Sequence, residues 1–336
     1  MFHPMERAQT RAYPSLHDIR ETAGRLSGKI LNTPVWRWQT GAVEEFMSPS
    51  TSVWLKLELF QKTGTFKFRG ALNCLEALDQ AARQRGVVAV SAGNHAVAVA
   101  YAARLLNTHA IVVMPESASP ARIAACKEYG AEVMLAPSVH EAFRWGTQIE
   151  TEEARTMIHP FDGPLTALGT ATVGLELMHQ VAGLDAVVVP IGGGGLCAGI
   201  SAAVKQINPA CQVYGVEPLG ADIMYRSLLS GRPEQLEKVD TVADSLGAPY
   251  AMPYSMEVCR MFVDEVVRVS DDQICRAMYL LYRDVKLVAE PAAAVAAAGM
   301  FGPLHGKLDG KKVGLIVCGS NMDPVSYSAL LARGAP

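Results

Sequence analysis

The chain has 336 residues, a net charge of −3 and a hydrophobic fraction of 50%. This length buries a sizeable core and predicts two domains or lobes, whereas the scattered charges leave no basic surface for nucleic acid. Seven widely spaced cysteines without a Cys-x-x-Cys pair favour reduced thiols in the cytoplasm over disulfides or structural zinc. The first thirteen residues are polar and predict a loose arm, and charged or polar residues interrupt the longest apolar run, so no membrane span is expected.

The first half of the chain predicts one α/β unit. Ser15 is expected to cap a helix that ends near residue 26, and an extended segment and a strand at 53–59 follow. The pattern next predicts a helix over 69–82. Short apolar strands then alternate with helices, which indicates parallel β-α-β units: the strands are 87–90, 110–114, 132–135 and 156–158, and the helices are 94–106, 119–129 and 139–154.

The same alternation resumes after residues 159–172, which are rich in Gly, Pro and Thr and are predicted to form a loop. Two such sets joined by a loop predict two lobes with a cleft between them. The expected elements of the second set are a helix that ends near 181, strands at 186–190, 213–217 and 313–317, and helices at 196–206, 271–285 and 291–300.

Lys67 is the candidate reactive group. It lies between Phe66 and Phe68, just after a Thr-Gly-Thr turn, and apolar surroundings lower the pKa of an amine. A neutral amine is a nucleophile that forms Schiff bases with carbonyl compounds, pyridoxal phosphate among them. The alternative is a structural lysine that extends its charge to solvent from the start of a helix.

A run of four glycines is the candidate phosphate site. Gly192, Gly193, Gly194 and Gly195 follow an apolar strand and precede a helix, so backbone N–H groups and the helix dipole converge there. One alternative is a tight turn required by packing alone. Another is a dinucleotide site of an NAD-dependent oxidoreductase, because Gly193, Gly195 and Ala198 have Gly-x-Gly-x-x-Ala spacing and Glu217 ends the next strand.

Three further motifs stand at the ends of predicted elements. The run Ser91-Ala92-Gly93-Asn94-His95 opens a helix, and its amides suit a carboxylate, although Ser91 or Asn94 could merely cap that helix. Cys318 follows the last strand, where open α/β sheets place ligands, and a buried apolar role is the alternative. Glu290 precedes a proline and also fits a plain helix start.

Together these motifs resemble the fold-type II pyridoxal-phosphate enzymes, specifically the serine/threonine dehydratase and serine racemase family. The resemblance runs from about Ser15 to Asp323 and is most specific in residues 60–73, which are similar to the family's cofactor-lysine signature, with Thr65 where serine is usual. It implies the two-lobed tryptophan synthase β-like α/β architecture. The large cofactor-binding domain would comprise 1–80 and 159–336, and residues 81–158 would form a small mobile domain that binds the substrate carboxylate.

The resemblance also implies a role for each motif. Lys67 would hold pyridoxal phosphate as a Schiff base and remove the substrate's α-proton, and Phe66 would contact the cofactor. Asn94 would bind the phenolic oxygen, Cys318 would face the pyridine nitrogen, and Glu290 would lie near the site. The phosphate would bind at Gly192, Gly193, Gly194, Gly195 and Leu196, and the substrate carboxylate would bind at Ser91, Ala92, Gly93, Asn94 and His95.

The implied reaction is dehydration and deamination of a β-hydroxy-α-amino acid to a 2-oxo acid and ammonia. Serine racemases place a serine where this chain has Ala92, so racemisation, the alternative within the family, is not expected. Glu217 and Ala221 fit the family's metal site, but Ile223 replaces its second carboxylate, and a divalent-cation requirement is therefore doubtful. The loop at 161–172 departs from the family pattern, which leaves a bulkier substrate such as phenylserine or hydroxyaspartate open.

Four expectations concern the whole protein. The chain ends soon after Asp323, so the resemblance implies no C-terminal regulatory domain and a catabolic role. The expected partner is a small amino acid rather than a nucleic acid or a membrane, and a homodimer is the expected assembly.

Overall fold

The computed structural model describes residues 13–336, so the predicted N-terminal arm lies outside the described residues apart from Tyr13. The first helix, α1 (Leu16–Leu26), begins where the sequence indicates, because the Ser15 side chain accepts a hydrogen bond from the Asp18 backbone N–H. Among the described residues, no helix is both long enough and apolar enough to cross a membrane.

A six-stranded sheet carries the larger part of the fold. Its order is β1-β2-β10-β7-β8-β9, and every pairing is parallel except that of β1 with β2. The central strands are buried on both faces, as a parallel sheet covered by helices requires. The strands are β1 (Val35–Trp38), β2 (Ser52–Leu57), β7 (Ala186–Pro190), β8 (Gln212–Pro218), β9 (Glu265–Val269) and β10 (Lys312–Val317).

The second sheet has four parallel strands in the order β5-β4-β3-β6. Its strands alternate with helices along the chain, as the sequence indicates. They are β3 (Val87–Val90), β4 (Ala110–Pro115), β5 (Glu132–Ala136) and β6 (Thr156–Met157).

Fifteen α-helices in the described part of the chain cover these sheets. Those after α1 and before β7 are α2 (Ala42–Phe46), α3 (Lys67–Glu76), α4 (Gln80–Arg85), α5 (Asn94–Leu105), α6 (Pro120–Glu128), α7 (Val139–Glu152) and α8 (Pro164–Gln180). The remaining ones are α9 (Gly195–Ile207), α10 (Ile223–Ser230), α11 (Pro253–Phe262), α12 (Asp271–Leu280), α13 (Pro291–Phe301), α14 (His305–Leu308) and α15 (Pro324–Gly334).

The predicted loop over 159–172 is wrong in its second half, because α8 begins at Pro164, a favourable first helical residue. Gly169 is there for close packing, since a Cβ on it would lie 2.6 Å from the backbone oxygen of Arg69. The hydroxyls of Thr170 and Thr172 donate to the carbonyls of residues three positions earlier in the helix, at 3.1 and 2.6 Å. Glycine and threonine, which are typical of turns, therefore occur here inside a tightly packed, buried helix.

Two predicted helices are interrupted. The helix expected over 69–82 is divided into α3 and α4, because Asp79 caps a new helix by accepting the Ala82 N–H at 2.7 Å. The helix expected over 271–285 keeps α-geometry to Leu280 and then makes a π-turn over Leu281–Val285. Neither interruption alters the topology.

The predicted α/β class with two mostly parallel sheets is confirmed. The largest apolar cluster packs around the six-stranded sheet, and two smaller ones pack around the four-stranded sheet. The chain segments that follow β3, β7 and β10 line one cavity. Carboxyl ends of parallel strands are where open α/β sheets place ligands.

Candidate active site

The lysine stretch and the Cys318 motif are joined by backbone contacts. Thr65 pairs with Gly319 in an antiparallel bridge, the Phe66 N–H donates to the Cys318 carbonyl at 3.1 Å, and the Thr65 hydroxyl donates to the same carbonyl at 3.2 Å. Helix α3 then begins at Lys67. The fold therefore fixes the lysine backbone directly beside the end of β10.

The Lys67 amine lies in an enclosed environment. Its Nζ donates to the Pro160 carbonyl oxygen at 2.6 Å and lies 5.1 Å from the centre of the Phe66 ring. Burial lowers the pKa of Lys67 to about 8, although the nearby Glu290 carboxylate acts in the opposite direction. A large share of the amine is therefore neutral near pH 8, as the sequence predicts.

The glycine run forms the start of α9. Gly194 has φ +94, in the left-handed region that favours glycine, and no side chain caps this helix in the described part of the chain. A Cβ on Gly193 would lie 2.1 Å from the Phe161 ring, so packing demands glycine here too. The N–H groups of the first turn remain free for an anion in the cavity that residues 192–196 line.

Glu290 organises the polar end of the cavity. Its carboxylate accepts hydrogen bonds from the Asn94 amide at 2.8 Å and from the Asn321 backbone N–H at 3.0 Å, and the Asn321 amide donates to the Asn94 side-chain oxygen at 2.8 Å. Burial raises the pKa of Glu290 to about 7. Burial also raises the pKa of the Cys318 thiol well above its ordinary value, so this thiol is neutral.

The predicted carboxylate loop lies between β3 and α5. The Ser91 hydroxyl accepts the Gly93 N–H at 3.1 Å, and no side chain caps α5 among the described residues. The loop thus offers helix N-terminal amides to the cavity. The Arg122 guanidinium lies beside it, since its Nη1 would be 3.7 Å from a Cβ on Gly93. Backbone amides and a nearby positive charge suit a carboxylate.

His95 lines the cavity as a neutral side chain. Its Nε2 donates to the Ile158 carbonyl at 2.7 Å, and burial lowers the pKa of the imidazole to about 3. A base with that pKa is a poor proton acceptor from a substrate at neutral pH. We therefore attribute any carboxylate contact of His95 to its backbone N–H.

One cavity of about 330 Å³ brings most of the predicted residues together. They reach it from both sheets, so it lies where the predicted cleft was expected. The predicted residues that line it are Phe66, Lys67, Ser91, Ala92, Gly93, Asn94, His95, Gly192, Gly193, Gly194, Gly195, Leu196, Glu290 and Cys318. Their individual roles stay predictions.

The two candidate metal residues do not line this cavity. The Glu217 carboxylate accepts the backbone N–H groups of Met224 and Tyr225 at 2.8 and 2.7 Å, and therefore caps α10. Ala221 and Ile223 are buried, and Ile223 belongs to an apolar cluster. The described residues place three grouped potential metal ligands only on α1, at His17, Asp18 and Glu21. The doubt about a divalent cation stays a prediction.

Sequence reasoning missed several cavity residues. Arg122 crosses from α6 to the segment before α11, where it donates to the Asp244 carboxylate at 2.9 Å, and to the Asn321 carbonyl at 3.1 Å. Phe143 of α7 and Phe161 also line the cavity. The apolar residues at positions 139, 142 and 143 share one helical face, which is a detectable signal. The Arg122 contacts depend on how the two sheets are arranged, which local pattern does not show.

The site fits pyridoxal phosphate. A glycine-rich helix start suits the phosphate, the Lys67 amine suits the aldehyde, and the neutral Cys318 thiol offers a weak hydrogen bond for a pyridine nitrogen. These groups and the two mostly parallel sheets define a fold-type II pyridoxal-phosphate enzyme. The chain belongs to the pyridoxal-phosphate dependent enzyme family, whose sequence model matches residues 26–319.

Known relatives agree with this assignment. Phenylserine dehydratase of Ralstonia pickettii is 49% identical over 98% of this chain and 100% of its own length. L-threo-3-hydroxyaspartate ammonia-lyase of Saccharomyces cerevisiae is 34% identical over 95% of this chain and 97% of its own length. The crystal structure of serine racemase from Dictyostelium discoideum superimposes with a TM-score of 0.85 at 36% identity, covering 93% of this chain and 100% of the racemase.

The predicted family is thus confirmed, and the relatives place the chain among the carbon–nitrogen lyases that release ammonia. The dehydrogenase alternative loses its support. Its proposed ribose-binding acid, Glu217, uses both carboxylate oxygens to cap α10.

Proposed function

We propose that this chain uses pyridoxal phosphate to dehydrate and deaminate β-hydroxy-α-amino acids, which gives a 2-oxo acid and ammonia. The observation that carries the proposal is the position of the Lys67 amine, with its lowered pKa, in one cavity with two helix N-termini. The 49% identity to a phenylserine dehydratase adds phenylserine to the candidate substrates.

The residues divide the work of binding and proton transfer. Pyridoxal phosphate, when bound, supplies an electron sink for the substrate's α-carbon. The start of α9 binds a phosphate, and the amides of residues 91–95 orient the substrate carboxylate beside Arg122. Phe66 and Phe161 provide apolar surface that limits water around Lys67.

Lys67 accepts the α-proton at Nζ as a general base. The neutral Cys318 thiol would donate only weakly to the pyridine nitrogen of the bound cofactor, which would favour loss of the β-hydroxyl over return of the proton. Loss of the α-proton and the β-hydroxyl removes one water. Hydrolysis of the resulting enamine takes up one water and releases ammonia, so the two products balance.

The test is a panel of serine, threonine, phenylserine and 3-hydroxyaspartate, assayed for ammonia and 2-oxo acid. We expect turnover of at least one substrate by the holoenzyme and loss of roughly 10³-fold or more in Lys67→Ala, because the positioned base is removed. Lys62→Ala is the matched control, since Lys62 is a half-buried lysine of the same stretch that lies outside the cavity and donates to the Lys29 carbonyl. Reduction with borohydride should also attach the cofactor to the Lys67 peptide, as detected by mass spectrometry. Full turnover by Lys67→Ala contradicts the proposal.

Racemisation is the second candidate, because the chain is 38% identical to the serine racemase of Dictyostelium discoideum over 94% of its length. Ala92 lines the cavity and presents a methyl group, which cannot deliver a proton to the opposite face of an α-carbon. We expect D-serine to form more slowly than pyruvate from L-serine. Equal rates would favour the racemase.

We further propose that turnover needs no added divalent cation. Each Glu217 carboxylate oxygen already accepts one backbone N–H, and Ile223 offers no ligand atom. Activity should therefore survive treatment with EDTA. Activity that is lost in EDTA and recovered on addition of Mg²⁺ would contradict this proposal. A cytoplasmic location and a homodimer remain proposals, and light scattering measures the second.

A further inference from the structure

The wall of the cavity that α7 supplies is apolar. Val139, Ala142 and Phe143 occupy one face of this helix at i, i+3 and i+4, and all three line the cavity. Helix α7 follows β5, so its first turn lies at the same edge of the four-stranded sheet as the carboxylate loop after β3. A substrate held by that loop therefore occupies the same cavity as this wall.

Aromatic packing fixes the position of Phe143. Its ring centre lies 6.0 Å from that of Tyr250 at an interplanar angle of 62°, and Tyr250 lies 5.9 Å from Phe161. Phe161 closes the cavity from the segment after β6. Tyr250 does not line the cavity but packs against both aromatic rings that do, an arrangement that suits another ring.

The cavity offers few positive charges to a substrate. Among the described residues that line it, Arg122 is the one arginine, and it binds the Asp244 carboxylate and the Asn321 carbonyl. Lys67 is the one lysine and carries the chemistry. The charged neighbour Arg144 pairs with Glu141 in solvent. A second substrate carboxylate, as in hydroxyaspartate, would find no free cation on this wall.

We propose that Val139, Ala142 and Phe143 form an aryl subsite that selects β-hydroxy amino acids with an aromatic β-substituent, and that Tyr250 positions Phe143. This inference rests on the proposed function. Ring contacts add to the gain from apolar burial, and an apolar wall gives an acidic group no compensation for its lost hydration. An apolar pocket rejects small substrates only modestly, so threonine remains a slow substrate.

The test compares kcat/KM for phenylserine, threonine and 3-hydroxyaspartate in the wild type, Phe143→Ala, Phe143→Leu and Arg144→Ala holoenzymes. The phenylserine-to-threonine ratio should fall about 30-fold in Phe143→Ala, which corresponds to about 2 kcal/mol at about 1.4 kcal/mol per tenfold. Phe143→Leu keeps apolar volume, so its phenylserine-to-threonine ratio should fall less. Arg144→Ala, a neighbour that faces solvent, should leave the ratio unchanged. A ratio within about threefold of wild type in both Phe143 variants overturns the proposal.

Binding provides a readout that does not require turnover. L-Phenylalanine and L-alanine lack the β-hydroxyl, and their Kd values follow from titration of the holoenzyme's visible spectrum. We expect Phe143→Ala to weaken the binding of phenylalanine at least about tenfold more than the binding of alanine. Tyr250→Phe should preserve this preference because the ring remains, whereas Tyr250→Ala should reduce it. An equal loss of affinity for both ligands in Phe143→Ala overturns the proposed aryl subsite. Absence of turnover by the wild type with every substrate would instead overturn the proposed function.

Discussion

Lys67 combines a lowered pKa with a fixed position. Its amine donates to a backbone carbonyl, and its backbone is held against Cys318 through Thr65 and Phe66. Desolvation rather than a neighbouring positive charge lowers its pKa to about 8. The lowered pKa of the amine therefore comes from the enclosure of the site itself.

This environment predicts how the apoenzyme takes up pyridoxal phosphate. Only the neutral amine attacks an aldehyde, so the rate of uptake should rise with pH and level off above about 8, rather than near the ordinary lysine value of about 10.5. Stopped-flow absorbance of apoenzyme mixed with pyridoxal phosphate measures this rate. Lys62→Ala should give the same midpoint. A midpoint above about 10 would show that Lys67 is not desolvated.

Helix α3 is anchored by a buried cluster of charges. Arg69, two residues after Lys67, donates to the Glu58 carboxylate at 2.7 and 2.8 Å and to Glu176 at 2.6 and 2.8 Å. Lys56 also donates to Glu176 at 2.6 Å. These contacts connect the segment after β2, the lysine helix and α8. They orient the helix that begins at Lys67.

Arg69→Met should therefore lower the free energy of unfolding by roughly 3–5 kcal/mol, because it leaves buried carboxylate charge uncompensated. Urea denaturation of the apoenzyme measures the change. Arg144→Ala breaks an exposed ion pair and should lower the free energy of unfolding by less than about 1 kcal/mol. Similar costs for the two substitutions would mean that the buried cluster does not hold the helix.

Glu217 links the end of β8 to α10 and should make stability depend on pH. Burial raises its pKa to about 8 in the folded protein, from an ordinary value of 4.5, so the folded state binds a proton that the unfolded chain has lost between these values. This contribution to stability is complete below pH 4.5 and is lost as the pH rises through about 8. The slope is up to about 1.4 kcal/mol per pH unit.

Glu217→Gln removes this titration. Unfolding free energies measured in urea from pH 5 to 8 should fall less steeply with rising pH in Glu217→Gln than in the wild type. Parallel curves would show that Glu217 does not change its protonation on folding.

Regular elements could be predicted from sequence where local pattern and burial agree. Short apolar runs identified β3, β4, β7 and β10, and the turn motifs at their ends identified residues that share the cavity. The start of α8 could not be predicted from composition, because Gly169 reflects contact with α3 rather than a turn. Arg122 and Arg69 each bind a carboxylate that lies more than 100 residues away in the sequence. No local sequence pattern specifies such partners.

At the scale of the whole molecule, the site lies between two sheets that belong to different parts of the chain. Arg122 bonds to Asp244, and Asn94 bonds to Glu290, so contacts cross from the four-stranded part to the six-stranded part. We propose that residues 81–158 move as a small domain that closes over the substrate, which would exclude water and align the carboxylate loop. The boundaries of this domain stay a prediction.

Closure should reduce access of a protease to the segments around the cavity. Limited proteolysis of the holoenzyme should slow at least about threefold when L-phenylalanine is saturating, because bound ligand favours the closed state. The fragment pattern by mass spectrometry locates the protected segments. Identical rates and fragments with and without ligand would argue against a mobile domain.

The most direct test of the central claim is the release of products from L-phenylserine by the holoenzyme. Ammonia and phenylpyruvate should appear at equal rates, and Lys67→Ala should slow the release of both roughly 10³-fold or more, whereas Lys62→Ala should not. Ammonia without the matching 2-oxo acid, or product formation that does not depend on Lys67, would contradict the account.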